Sequence, residues 1–331
     1  MDDDIGLVAS IARLTFGIIA IFSNGALISI ILARTPKKMK AFSIILLDFA
    51  VSDLVNASME VLVLNLQYQT PVYLVNQAEG LCTYVLPQLC FAFYGIQLHS
   101  FFNSVLAQPF SFYYRYRVLT SGDLKSGKVF LGCILIYFPS FAYCALFISL
   151  RPDIHSEIKS YVNATSPAML SQTATYFGAS MASPQTLFLI FYVIAPWAPV
   201  LFLNFYYRSK ALKFLRDNTT HFSVELRRLQ QHQVQYWKRW QALTINALLP
   251  LTFCAGFITI FLIYLGVYTH PLFTHLYYVS VLISPAFAPL FQLYYILPYR
   301  RAIRDAMPSK WRTTPLNTVT ISDGKASDIR A

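Results

Sequence analysis

Seven long apolar runs, separated by polar or charged segments, dominate the pattern of this chain. They span residues 10–33, 42–66, 84–114, 128–150, 187–207, 241–268 and 272–296. A helix needs about 20 mostly apolar residues to cross the hydrocarbon core of a bilayer, and each run is long enough. In the third run Pro87 lies near the start, so its helix can begin as late as Cys90. The pattern therefore predicts an all-α membrane protein with a bundle of seven transmembrane helices.

Composition agrees with a membrane protein. The chain is 56% hydrophobic and only 12% charged, whereas a soluble domain is about 25% charged. The N-terminal stretch "MDDDIGLVAS" lacks the basic region of a cleaved signal peptide. We therefore expect the first apolar run to remain as a permanent transmembrane segment.

The basic residues predict the orientation of the bundle. Only Arg13, Arg151 and Lys159 fall outside four segments that a seven-span chain places on one side. Because Lys and Arg accumulate in cytoplasmic loops, the N-terminus is predicted outside and the C-terminus in the cytoplasm. This topology explains the net charge of +11 without nucleic acid as a partner. The four basic segments are 34–41, 115–128, 208–240 and the tail from residue 297.

Residues 1–308 are predicted to form one membrane domain. The segment 208–240 lacks Pro and Gly, so we expect it to extend the two neighbouring helices. Residues 298–307 predict a short amphipathic helix along the inner leaflet, with its arginines facing lipid headgroups. The polar residues 309–331 predict a disordered cytoplasmic tail.

Acidic residues inside the second run are the sharpest chemical signal. A carboxylate at the centre of a bilayer costs several kcal/mol, and this run contains Asp48, Asp53 and Glu60. Asp53, Asn56 and Glu60 share one helical face. We expect this face to point into the bundle, with Asn24 of the first run as a neighbour. The residues alone do not distinguish a functional site from a structural hydrogen-bond cluster.

The third run offers candidates for a ligand pocket. The chain contains 27 Phe, 22 Tyr and 4 Trp, which suit the lining of a pocket for a small organic molecule, although such rings also pack between helices. Counted back from Arg115, the inward positions include Tyr94, Gln97 and Phe101. Among these, Gln97 is the best polar candidate.

No enzyme chemistry is indicated. The sequence contains no G-x-S-x-G, Walker A, H-E-x-x-H or G-x-G-x-x-G motif. Its five cysteines and six histidines show no zinc spacing. We therefore predict neither catalysis nor a cofactor. Asn163 lies in a sequon within the long outer loop 151–186 and is a candidate for glycosylation.

Several motifs resemble those of rhodopsin-like G-protein-coupled receptors. Tyr114-Arg115-Tyr116 closes the third run where that family has Asp-Arg-Tyr. Asn24 matches the asparagine of the first span, and Asp53 in "FAVSDL" matches the aspartate of the second. Pro250 and Pro289 match the prolines that kink the sixth and seventh spans.

In detail, the sequence is similar to those of nematode chemoreceptors of the serpentine receptor class delta family. This resemblance covers roughly residues 5–308 and rests on "TPKKMKAFSIILLDFAVSDL", "FSFYYRYRV", "HPLF" and "ILPYRRAI". It implies a chemosensory, olfactory receptor in the plasma membrane of a sensory cilium, with an odorant-like small molecule as ligand. It also implies membrane lipid and a heterotrimeric G protein as partners.

The resemblance assigns roles to particular residues. Asn24 and Asp53 correspond to a sodium or water site. The cytoplasmic ends of the helices would contact the G protein through Tyr114, Arg115, Tyr116, Arg117, Arg208 and Arg239.

Departures from the rhodopsin-like pattern affect the third, sixth and seventh spans. Tyr114 replaces the acidic neighbour of Arg115, Leu248 replaces a tryptophan before Pro250, and Gln292 replaces a tyrosine after Pro289. These changes put the standard switch mechanism of the family in doubt.

The cysteines depart as well. Cys90 occupies the family's disulfide position, yet the loop 151–186 has no cysteine. A bridge from Cys82 or Cys90 to Cys144 is then one alternative, and free thiols packed as small hydrophobic groups are the other.

A transporter or channel that uses the intramembrane carboxylates is the rival hypothesis. Internal repeats and paired broken helices are typical of many transporters, and neither is evident in this chain. Current gated by a ligand in cells without G proteins would favour this rival.

Overall fold

The computed structural model describes residues 2–70, 72–149, 155–165, 174–217 and 271–306, together with Ile258 and Leu262. Long helices account for most of this part. They are α1 (Asp2–Arg34), α2 (Lys40–Val63), α4 (Cys90–Ser121), α5 (Ser126–Ser149), α7 (Pro184–Ile194), α8 (Trp197–Asp217) and α9 (Pro271–Tyr295). Shorter helices are α3 (Cys82–Val85), α6 (His155–Thr165) and α10 (Leu297–Ala306).

Six helical segments of the described part are long and apolar enough to cross a membrane. They correspond to the predicted spans one to five and seven, with α7 and α8 together forming the fifth. The predicted sixth span, 241–268, lies outside the described residues except for Ile258 and Leu262. Segment 218–240 and the tail 309–331 also lie outside the described residues. The third helix begins at Cys90, the later of the two predicted starts.

One end of the bundle carries a small sheet that the all-α prediction did not include. Strands β1 (Asn65–Gln69), β2 (Tyr73–Ala78) and β3 (Thr175–Ser180) form an antiparallel sheet in that order. The β1–β2 hairpin connects α2 to α3, and β3 precedes α7. The register pairs Asn65 with Ala78 and Val75 with Gly178. We call this face of the bundle, residues 64–89 and 174–183, the sheet end.

The transition from α2 to the sheet requires an unusual backbone. Leu64 has φ 44°, in the left-handed region, and its N–H donates to the carbonyl of Glu60 at 2.8 Å. Such a residue ends a helix by satisfying an otherwise unpaired carbonyl. The chain then enters β1 directly, which fixes Glu60 in the last turn of α2 next to Asn65.

The disulfide prediction was wrong. Cys82 is bonded to Cys90, with their Cα atoms 5.5 Å apart, and Cys144 is a buried free thiol in α5. The chain folds back between the two partners through α3 and a 3-10 turn at Pro87–Leu89. That local turn brings Cys82 to the first residue of α4, so neither sulfur is left for Cys144.

The opposite face, residues 34–40, 115–128 and 297–306, is called the basic end. Here Leu27, Ile31, Leu46 and Leu293 pack into one core with the first residues of α10. Tyr299 of α10 is fully buried, and its hydroxyl shares a 3.1 Å hydrogen bond with the hydroxyl of Thr35. A phenol is neutral at physiological pH, and burial raises the pKa of Tyr299 further above its ordinary value. The predicted amphipathic helix is therefore anchored to α1 by an uncharged contact.

Replacing Cys82 by Ala should lower the thermal stability of the detergent-solubilised protein, because the bridge closes a loop in the unfolded chain. The chain-entropy model gives a loss of about 2 kcal/mol for so short a loop. The midpoint of thermal unfolding measures this effect. Cys144→Ala, which removes a buried thiol without a bridge, is the matched control. Equal midpoints for Cys82→Ala and wild type would contradict the assigned pairing.

Candidate functional site: a polar cluster beside a cavity

Two opposite charges meet inside the bundle at the sheet end. Arg13 of α1 and Glu60 of α2 are both fully buried. Glu60 Oε1 accepts hydrogen bonds from Arg13 Nε at 2.8 Å and from an Arg13 terminal nitrogen at 2.5 Å. A buried carboxylate is tolerated only when it is paired and hydrogen-bonded. The pair thus allows both charges to lie in the interior and ties α1 to α2.

The same pair contacts two further elements. The second carboxylate oxygen of Glu60 accepts a hydrogen bond from Gln97 Nε2 of α4 at 2.5 Å. Arg13 also donates to the backbone carbonyl of Asn65, the first residue of β1, at 2.7 Å. Both partners of the ion pair are therefore held by groups outside it, one by α4 and the other by the sheet.

Asn65 carries the connections onward to α9. Its side-chain amide donates to Asn76 Oδ1 of β2 at 2.9 Å and to the Tyr278 hydroxyl at 2.7 Å. The Arg13 guanidinium lies 4.3 Å from the centre of the Tyr278 ring, which is cation–π distance. We call Arg13, Glu60, Asn65, Gln97 and Tyr278 the polar cluster. It joins α1, α2, α4, α9 and the sheet.

A cavity of about 80 Å³ lies beside this cluster. Phe91, Leu98 and Phe101 of α4 form part of an apolar wall, to which α5, α7 and Tyr277 of α9 also contribute. The sheet contributes Asn76 and Gly178, and no charged residue lines the cavity within the described part of the chain. The volume accommodates several waters or a very small organic molecule, and is below that of a drug-sized pocket.

The predicted pocket residues are divided between the cavity and the cluster. Tyr94 and Phe101 line the cavity. Gln97 does not; its amide is committed to Glu60. Tyr94 connects the two sites, because its hydroxyl lies 3.4 Å from that of Tyr278. A molecule in the cavity would therefore contact Tyr94 and Phe101 but not Gln97.

Gly178 allows the sheet to lie close to the cavity. A Cβ atom at this position would lie 2.1 Å from the carbonyl oxygen of Leu74. Any side chain would therefore push β3 away from β2. The absent side chain keeps the strand pairing intact and leaves the backbone itself as cavity wall.

The carboxylates in the middle of the bundle have separate partners. As the shared helical face predicted, Asp53, Asn56 and Glu60 are all buried. Asp53 accepts a 2.8 Å hydrogen bond from Ser104 of α4, whereas Asn24 donates to the carbonyls of Ala20 and Pro285. Asn24 thus connects α1 to α9, and Asp53 connects α2 to α4. The sodium or water site at these two residues stays a prediction.

The third carboxylate of α2 also turns toward α4. Asp48 is half-buried, and its Oδ1 lies 3.4 Å from the amide of Asn103. That amide also donates to Ser52 at 2.9 Å. Within the described residues, no group of three or more His, Cys, Asp or Glu side chains could hold a metal ion.

The basic end shows how this chain accommodates Tyr114 in place of an acidic residue. Tyr114 is buried, stacks on Phe42 with ring centres 6.0 Å apart, and donates a 2.7 Å hydrogen bond to Asp123. The Arg115 guanidinium lies 5.7 Å from the ring centres of Phe42 and Phe112. Among the described residues Arg115 has no salt bridge, so aromatic rings hold it instead of a carboxylate.

Of the other predicted coupling residues, the structure describes Tyr116, Arg117 and Arg208. Tyr116 is half-buried against Tyr207 of α8, with ring centres 6.2 Å apart. Arg117 and Arg208 are half-buried, and Arg239 lies outside the described residues. At the opposite end, Asn163 is exposed on α6, and its glycosylation stays a prediction.

Arg13, Asn65 and Tyr278 were missed by sequence reasoning. The charge pattern assigns Arg13 only to the outer side of the membrane, although this residue lies inside the first apolar run. An opposite charge at a similar depth in the second run was the available signal. Asn65 and Tyr278 carry no comparable signal, since amides and phenols are common near helix ends.

Comparison with known proteins places this arrangement in context. A family model described as serpentine type 7TM GPCR chemoreceptor Srd matches residues 9–305. Serpentine receptor class delta-1 of Caenorhabditis elegans is 27% identical over 308 residues, covering 91% of this chain and 80% of that protein. Class delta-3 of the same organism is 26% identical, covering 86% of this chain and 83% of that protein.

A solved structure gives the same fold. Squid rhodopsin superposes with a TM-score of 0.65 at 13% identity, covering 92% of this chain and 86% of that one. The predicted seven-transmembrane bundle is therefore confirmed.

Replacing Asn65 by Ala should destabilise the sheet end. The substitution removes the hydrogen bonds to Asn76 and Tyr278 but keeps the backbone carbonyl that Arg13 uses. Two lost buried hydrogen bonds predict a loss of about 2 kcal/mol, read as a lower thermal midpoint in detergent. Asn163→Ala in deglycosylated protein is the exposed control. If both variants melted alike, the side chain of Asn65 would not support the cluster.

Proposed function

The chain belongs to the Srd family of serpentine seven-transmembrane chemoreceptors, and we propose that it binds a small ligand within the helix bundle and activates a heterotrimeric G protein. It is a multi-pass membrane chemoreceptor and not an enzyme. The cavity between α4, α5, α7 and the sheet carries the ligand-binding proposal. In this proposal the sheet end faces outward and the basic end faces the cytoplasm, at the plasma membrane of a sensory cilium.

The cavity favours a small, uncharged and mainly apolar ligand. Aromatic and aliphatic side chains form most of its wall, and a charged ligand would find no counter-charge among the described lining residues. The buried hydroxyl of Thr186 lines the cavity and has no hydrogen-bond partner among the described residues. It is available to one polar atom of an odorant-like molecule. Such a pattern, apolar walls with few polar groups, is usual for small-molecule sites.

The basic end supports the coupling proposal. In this proposal Arg115, which lies among aromatic rings and has no carboxylate partner within the described residues, contacts the G protein when the helix ends separate. Tyr116 packs against Tyr207 of α8, which precedes Arg208 in the chain. A ligand changes this end only through a difference in its affinity for the two conformations of the bundle.

A cavity-filling substitution tests the ligand site. Leu189 is buried against the cavity, so Leu189→Phe should raise the half-maximal concentration of a ligand identified by a second-messenger screen about tenfold or more. The control is Leu187→Phe, the same change on the exposed face of α7. Equal effects of the two substitutions on ligand potency would exclude this cavity as the binding site.

Substitution of Arg115 tests the coupling site. Arg115→Ala should reduce G-protein activation about tenfold or more at equal surface density, because it removes the cation that the partner contacts. Lys159→Ala, which removes an exposed cation at the sheet end, serves as the control. Full signalling by Arg115→Ala would contradict the proposal. A ligand-gated current in cells without G proteins would instead favour a channel.

A further inference from the structure

The Arg13–Glu60 pair is costly for a purely structural element. Both side chains are removed from solvent, with exposed fractions of 0% and 1%. Burying two charges costs much of what their attraction returns, and apolar replacements are often as stable. Packing alone does not account for an ion pair at this position. A role in selecting between conformations does account for it.

Within the described part of the chain, the hydrogen bonding of the cluster is incomplete. Arg13 Nη1, Asn65 Oδ1 and Gln97 Oε1 are buried and have no partner among the described residues. A partly satisfied network in a low-dielectric interior is far from its best arrangement. The leftover donor and acceptors allow a second set of hydrogen bonds after a small movement of the helices. Two arrangements of one cluster are what a switch requires.

The cluster is connected to the cavity by single hydrogen bonds. Asn76 lines the cavity and accepts from Asn65, which holds Arg13 through its carbonyl. Tyr94 lines the cavity and contacts Tyr278, whose ring lies beneath the Arg13 guanidinium. A molecule that moved Asn76 or Tyr94 would therefore act on Arg13 through one intermediate residue.

We propose that the buried Arg13–Glu60 ion pair is a conformational lock that holds the receptor at rest and is released by ligand through Asn65 and Tyr278. The inference rests on the proposed receptor function. While the pair is intact, α1 and α2 are held together and Gln97 keeps α4 against them. When Asn65 or Tyr278 moves, Arg13 loses its outer support, and the helices are free to separate toward the active arrangement.

The test compares removal of one charge with removal of both. Glu60→Gln leaves Arg13 unpaired, whereas Arg13→Gln with Glu60→Gln removes the lock without leaving a buried charge. Tyr278→Phe keeps both charges and removes only the hydroxyl that Asn65 contacts. Glu157→Gln makes the same chemical change as Glu60→Gln at an exposed position of α6 and is the control.

Two readouts are recorded without any ligand. The first is basal second-messenger signal per receptor at the cell surface. The second is the emission of a bimane fluorophore on a Lys213→Cys substitution at the exposed end of α8, with Cys133, Cys144 and Cys254 replaced by Ala. The second readout follows the bundle itself and needs no G protein.

A lock predicts that the doubly neutral variant signals about fivefold or more above wild type, the lower range of allosteric coupling, with shifted bimane emission. Wild-type signal and emission in that variant would make the pair a structural contact only and would overturn the proposal. If no doubly neutral protein reaches the surface, Tyr278→Phe decides in the same way: raised basal signal supports the lock, and an unchanged one overturns it. Shifted emission without signal in any variant upholds the lock and contradicts G-protein coupling.

Discussion

The absence of water in the bilayer core is the constraint on which this structure depends. Lipid chains are as apolar as leucine, so apolar burial gives little preference for one helix neighbour over another. Polar side chains inside the bundle supply that preference. Glu60 selects α1 and α4, Asn24 selects α9, and Asp53 selects α4. The Asn24 contact joins helices at opposite ends of the chain, the others join consecutive spans, and each would be costly to break in lipid.

The membrane spans could be predicted because only long apolar runs are stable in lipid. The carboxylates inside these runs stood out because lipid penalises a charge that does not face the bundle interior. The buried face of Asp53, Asn56 and Glu60 followed from helical spacing alone. The sheet was not readable, since its strands are short and β2 pairs with β3 across about a hundred residues. The partner of Cys82 depended on a local turn, and that of Glu60 on helix depth, neither of which hydrophobic periodicity reports.

The resembling receptors use a disulfide to restrain this end of the bundle, whereas this chain uses the backbone pairing of the sheet. Cys90 occupies the position of that disulfide, but it bonds to Cys82 eight residues earlier and so closes only a local loop. The segment before α7 is instead held by the β2–β3 register, where Gly178 permits contact with Leu74. Strand hydrogen bonds distribute the restraint over several residues. The cavity wall formed by this segment is therefore coupled to the hairpin that begins at Asn65.

The two ends of the bundle differ in how their cations, Arg13 and Arg115, are held. In rhodopsin-like receptors an acidic neighbour restrains the arginine of the third helix, yet here Tyr114 bonds to Asp123 and Arg115 lies among aromatic rings. At the basic end of the described part, cation–π contacts therefore take the place of that carboxylate. A buried ion pair between two helices, Arg13–Glu60, lies at the sheet end. Under the proposed function, restraint of the resting state would lie at the end beside the cavity, away from the end that would meet the G protein.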